Sequence, residues 1–148
     1  MSVDQLPPVL LVRATKYRWK GRVHFPKDSN GEVVHEPVDD YVTFRRMVLD
    51  PADGQPEKPG AMLSVGFRFA RFSDPINQRL SVVPAPLIAA QPGFRSKAWM
   101  LGRNTGMFRG VYEWDSVADA EAYGTSFPMR LLWRRMVPDS ASYEITSL

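Results

Sequence analysis

The rhythm of hydrophobic positions changes near residue 61. Before it the chain is polar and punctuated; from Met62 onward, strand-like alternation and helix-like stretches follow each other in order. MLSVGFRFA (62–70) places Leu63, Val65, Phe67 and Phe69 on one face and Ser64 and Arg68 on the other, the signature of a strand. SDPINQRLSVVPAPLIAAQ (73–91) opens a helix, with Ser73 at the cap and Pro75 in the first turn. Pro84 and Pro86 break that helix into two short pieces, because proline lacks the amide proton and clashes with the preceding turn. FRSKAWMLGR (94–103) and GMFRGVYEWD (106–115) are two further strands joined at Asn104-Thr105-Gly106. Asp115-Ser116 supplies caps for the helix VADAEAYGTSFPMRLLWRRM, which Gly124 and Pro128 divide. Val137–Ser140 is a turn, and ASYEITSL is the last strand.

The order β-α-β-β-α-β over residues 61–148 is the ferredoxin-like arrangement, so the expected class is α+β with an antiparallel sheet. Four strands with helices on one side leave the other side of the sheet bare. A symmetric homodimer is the simplest cover for such a face.

Residues 1–60 form an N-terminal extension packed on the same domain. In PVLLVRATKYRWKGR (8–22) helical and strand periods compete; the reading adopted is a short helix giving way to a strand near Gly21. RVHFP and GEVVHEP flank a KDSNG turn as a hairpin, and YVTFRRMVLD (41–50) is another strand. PADGQPEKPG (51–60), with three prolines and two glycines, is a loop and the best internal boundary.

At 148 residues the chain is long enough for one domain with a proper core, and 44% hydrophobic with 24% charged residues is an ordinary globular composition. There is no cysteine, which excludes disulfides, thiolate catalysis and iron–sulfur ligation and favours the cytoplasm. No apolar run approaches a membrane span, and the first residues lack the basic start and cleavage site of a signal peptide. Of the net charge of +3, residues 1–25 hold more than all: Arg13, Lys16, Arg18, Lys20 and Arg22 stand against Asp4 alone. The basic character therefore belongs to one segment, and nucleic-acid binding by the whole fold is not expected. That segment, with Val9, Leu10, Leu11 and Trp19, is read as packing on the sheet rather than touching a membrane surface.

With that order in place, residues 62–148 resemble the dimeric α/β-barrel superfamily, and most of all its small monooxygenase-like proteins related to the antibiotic-biosynthesis monooxygenases. The residues that carry the resemblance are Pro92-Gly93-Phe94, Lys97, Trp99, Gly110, Tyr112 and Asp115, then Ala120, Ala122 and Tyr123. The resemblance implies a pocket between each subunit's sheet and helices and a barrel completed by two sheets face to face. It also implies a range of activities: cofactor-free oxidation of phenols or quinols by oxygen, polyketide cyclisation, haem degradation or binding, or none. Fold does not choose among them.

Lys97 and Trp99 share one strand face; Gly110, Tyr112 and Trp114 share a face of the neighbouring strand. If these faces look into a pocket, Trp99, Trp114, Tyr123 and Phe67 form the walls for a planar small-molecule substrate. Lys97 and Arg68 then stabilise a phenolate or enolate, and Tyr112 or Tyr123 orients an oxygen. If they do not, the same side chains are core or interface packing, the commoner fate of apolar alternation. The leading expectation is a cofactor-free monooxygenase with Lys97, Tyr112 and Arg68 as catalytic residues. A cyclase or isomerase using the same pocket, or a non-enzymatic dimeric binding protein, stands beside it.

His24 and His35 are the only histidines; a hairpin about KDSNG would make them cross-strand neighbours. Two imidazoles alone are a weak metal signal, so no metal and no other cofactor is expected. The predicted core holds no histidine, which argues against imidazole-bound haem. No glycine-rich phosphate loop and no nucleophile elbow is present. Arg130, Arg134 and Arg135 read as a solvated basic helix face paired with Asp119 or Glu121.

Overall fold

The computed structural model describes residues 21–148. The helix expected over the start of the chain, and the basic residues up to Lys20, lie outside the described residues. The described elements are β1 (Val23–His24), β2 (Val33–His35), β3 (Asp40–Leu49), β4 (Ala61–Phe67), α1 (Asp74–Leu80) and α2 (Ala85–Ala89). After them come β5 (Phe94–Gly102), β6 (Phe108–Trp114), α3 (Val117–Gly124), α4 (Phe127–Trp133) and β7 (Ser142–Ser147). Both proline-broken helices divide as the sequence requires.

All strands pair antiparallel in one sheet of order β1-β3-β5-β6-β4-β7, with β2 also on β3. The run β5-β6-β4-β7 is the ferredoxin-like order for the β-α-β-β-α-β unit. β3 extends this sheet along the outer edge of β5, from Tyr41 opposite Gly102 to Val48 opposite Ser96. The N-terminal strands thus belong to the same sheet as the rest.

The KDSNG turn sits where expected, but β1 and β2 do not pair with each other across it. Val23 and His24 pair with Leu49 and Val48, whereas Val33–His35 pair with Val42–Asp40. They are two pieces of one broken edge strand. Strands of two and three residues make a marginal hairpin, and the free edge of the ten-residue β3 offers each a longer template.

Alternation divides the sheet into two faces. Leu63, Val65, Phe67, Phe108, Tyr112, Trp114 and Met47 face the helices and form the core with Ile88, Tyr123 and Met129. A register shift between Thr43 and Arg45 interrupts β3. This bulge turns Arg45 to the helix side, opposite Trp99, and Met47 opposite Lys97. The other face carries Met62, Ser64, Met100, Val111 and Glu144 around a groove of about 470 Å³, and no described element covers it.

Side chains pin the loops. Asp39 is buried and accepts hydrogen bonds from the Asn104 and Thr105 amides, the Asn104 side chain and the Thr105 hydroxyl, clamping the β5–β6 turn. The Thr105 hydroxyl bond is the main cause that holds the Asp39 carboxyl down at about 2. Arg95 reaches the Pro56 and Glu57 carbonyls of the 51–60 loop and pairs with Asp115 at 3.0 Å. Asp115 is therefore an ion-pair partner rather than a helix cap; Ser116 alone caps α3, accepting from the Asp119 amide.

Candidate functional site

β5 and β6 lie side by side as an antiparallel pair, and between them, the Ser81–Pro84 turn and α4 lies a cavity of about 40 Å³. Its walls include Phe67, Phe69, Trp99, Lys97, Leu132 and Arg135. Lys97 is buried, 6% exposed. Among the described residues it has no hydrogen-bond acceptor and no carboxylate. Its ammonium instead lies 4.5 Å from the Trp99 ring centroid and 4.6 Å from that of Tyr112. Cation–π contacts recover part of the lost hydration, but not the cost of a buried charge. Burial, with the Arg45 guanidinium adding to it, pulls Lys97 down to about 7, so near neutral pH both its forms are populated.

Gly110 makes this placement possible. A Cβ there would stand 2.9 Å from Tyr112 Cε1 and 3.1 Å from Lys97 Cε, so the bare backbone is what lets both side chains lie across β6.

Trp99 carries a second cation. Arg45 Cζ lies 5.4 Å from its centroid, held there by donation to Ser81 Oγ at 2.6 Å and to the Gln78 carbonyl at 3.0 Å. At the mouth, Arg135 lies over the Phe69 ring. The cavity walls thus hold cations and aromatic rings but no carboxylate.

Of the residues singled out from the sequence, the structure brings Lys97, Trp99 and Phe67 to the cavity wall and Tyr112 against Lys97 from behind. Tyr112, Trp114 and Tyr123 are fully buried in one cluster with ring centroids 4.8–6.1 Å apart, outside the cavity lining. The Tyr123 hydroxyl donates to that of Tyr112 at 3.2 Å, and burial raises both phenols above their ordinary pKa. Tyr112 backs Lys97, Tyr123 backs Tyr112, and α3 packs directly on this end of the sheet. Arg68 is not part of the group. One position past Phe67 it is on the other face, exposed, and donates to the Thr105 carbonyl.

Arg45 is the residue that sequence reasoning missed. Simple alternation along YVTFRRMVL puts it on the opposite face, and only the bulge brings it round. The adjacent pair Arg45-Arg46 within that strand, which must send one guanidinium to each face, was the available signal. Against the expectation of a solvated helix face, Arg135 is half-buried at the cavity, while Arg130 and Arg134 are exposed.

The histidines are apart. His24 pairs with Asp50 at 2.6 Å and His35 with Asp40 at 2.8 Å, on stretches of β3 eight residues from each other by register. Both are exposed, and among the described residues no cluster of three metal-ligating side chains occurs. No described helix is long and apolar enough to cross a membrane.

A helix-backed antiparallel sheet in this strand order, with a cleft on its covered side, is a ferredoxin-like fold. Solved structures with this fold include LmHde, a heme-degrading enzyme from Listeria monocytogenes, at 12% identity and TM-score 0.56, covering 83% of this chain and 95% of that one. A second, an uncharacterized ferredoxin-fold protein of Listeria monocytogenes related to antibiotic biosynthesis monooxygenases, gives 11% identity and TM-score 0.55 over 84% and 90%. A monooxygenase-like protein from Listeria innocua gives 13% and 0.53 over 90% and 84%. At these identities the likeness is one of fold. No protein-family model matches the chain, and no curated protein does.

Proposed function

We propose that the Lys97 cleft belongs to a cofactor-free oxygenase that removes a proton from a small phenolic or quinol-like molecule and lets the resulting anion react with oxygen. The observation that carries this reading is a buried amine with no acceptor or carboxylate partner among the described residues, set between two aromatic rings at a cavity. A neutral Lys97 takes the proton, and the ammonium so formed sits beside the anion it created, stabilising it where water is scarce. The substrate is the reductant: a ring methylene plus O₂ gives a ring carbonyl plus water, and the atoms balance without flavin or metal. Arg45 and Arg135 add positive potential around the same anion. A ring enters only when Leu132 and Arg135 swing outward, since the cavity as it stands takes a few heavy atoms.

The monooxygenase-like and heme-degrading neighbours share the scaffold and support an oxygenase over the cyclase reading. Haem fits poorly here, because both histidines lie on the β1 and β2 edge strands rather than at the cleft. A homodimer through the open sheet face, in a cytoplasmic setting, completes the proposal.

The test is oxygen uptake by purified protein with a panel of anthrones and quinols, no cofactor added. The expected result is turnover that rises with pH through about 7 and falls at least roughly 100-fold in Lys97→Met, the scale of a lost general base. No uptake with any member, or full activity in Lys97→Met, sinks the proposal.

A further inference from the structure

A buried amine that is partly neutral is a nucleophile as well as a base. Lys27 and Lys58 are exposed. Lys97 differs in having no acceptor or carboxylate among the described residues, a fixed position over Gly110, and a cavity on which its side chain borders. The size of that cavity, about 40 Å³, suits a compound of a few heavy atoms without any wall moving. Its charge is one-sided. Arg135 lines it, Arg45 stands across Trp99, and neither forms an ion pair with a described carboxylate.

We propose that this cleft binds a small 2-oxo acid and that Lys97 captures its carbonyl carbon as an imine. This is a second use of the same amine, independent of any oxygen chemistry. Arg135 at the mouth receives the carboxylate, and the carbonyl is directed inward to Nζ. The Nζ lone pair forms a bond to the carbonyl carbon while the C=O π pair moves to oxygen. A proton passes from nitrogen to that oxygen, giving a carbinolamine. Loss of the hydroxyl together with the second nitrogen proton, as water, leaves the C=N bond. One water is released, and nothing is oxidised or reduced. The lowered proton affinity of Lys97 supports the first step, since only the unprotonated amine adds.

The experiment is reductive trapping. Full-length protein is incubated anaerobically at pH 7.5 with pyruvate and cyanoborohydride, and with acetaldehyde in a parallel arm, followed by peptide mass mapping. The chain has five lysines, so Lys97 can be followed against Lys27 and Lys58 in the same sample. An exposed lysine is only about 0.1% neutral at that pH, and Lys97 is expected to label at least roughly tenfold faster. Its labelling should rise with pH through about 7. Arg135→Gln should slow pyruvate more than acetaldehyde.

Absence of a pyruvate adduct at Lys97 while Lys27 and Lys58 label overturns the proposal. So does an Arg135→Gln protein that labels with pyruvate as fast as the wild type. Trapping without oxygen uptake on the quinol panel leaves the imine standing and removes the oxygenase. Oxygen uptake without trapping does the reverse.

Discussion

At Lys97 the cost of the site and its chemistry are the same quantity. A lysine whose folded pKa is near 7 must be charged and buried below that pH, whereas in the unfolded chain it stays protonated up to about 10.5. The unfolded state therefore binds more protons between those values, and stability rises with pH across the window. The penalty is fully present below pH 7 and is gone above the unfolded pKa. Lys97→Met, which keeps the volume and removes the charge, should stabilise the fold by on the order of a few kcal/mol below pH 7. Urea melts at pH 6 and pH 10 check this: the gain should shrink towards zero at the higher pH, and a pH-independent gain would contradict it. The same substitution should abolish chemistry, so stability and activity move in opposite directions at one position. Trp99 and Phe67 were legible as cavity walls because alternation alone set their face. Arg45 was not, because its face depends on a bulge that no local pattern announced.

At the scale of elements, the parts that organise the cleft's surroundings are held by long-range polar contacts rather than by their own propensities. The 51–60 loop has no regular structure, yet Arg95 donates to two of its carbonyls, and its ion pair with Asp115 is largely buried at 8% and 16% side-chain exposure. Arg95→Met leaves Asp115 and both carbonyls without that donor and should cost about 3 kcal/mol. Hydrogen exchange should show amides of residues 52–60 losing protection while β4 and β6 keep theirs; uniform loss would mean that Arg95 holds more than this loop. Every strand and helix from residue 61 onward was readable, because proline, glycine and alternation are local signals. The partner of β1 and β2 was not. Whether two short strands pair with each other or with a third is decided by the competing ladders, and that choice has no signature within 23–35.

For the whole molecule, the two sheet faces have opposite electrostatic character. The covered side holds Lys97, Arg45 and Arg135 with no described carboxylate partner. On the open side Arg109 is paired with Glu36 and stacked on Tyr41, surrounded by Met62, Met100 and Val111. A neutralised, partly apolar face suits burial against a second copy, and the dimer proposed above would use it. Val111→Arg, in the middle of that face, should shift the protein to monomer in light scattering without lowering its melting temperature by more than a few degrees. A monomeric wild type at micromolar concentration would rule the dimer out. The lack of a carboxylate beside Lys97 also has a meaning in time. Many buried cations are held by an internal anion that must let go before a ligand can take its place, and that opening sets a speed limit on arrival. Among the described residues there is no such latch, so none of them has to release the amine before an anion or carbonyl that passes Leu132 and Arg135 can meet it.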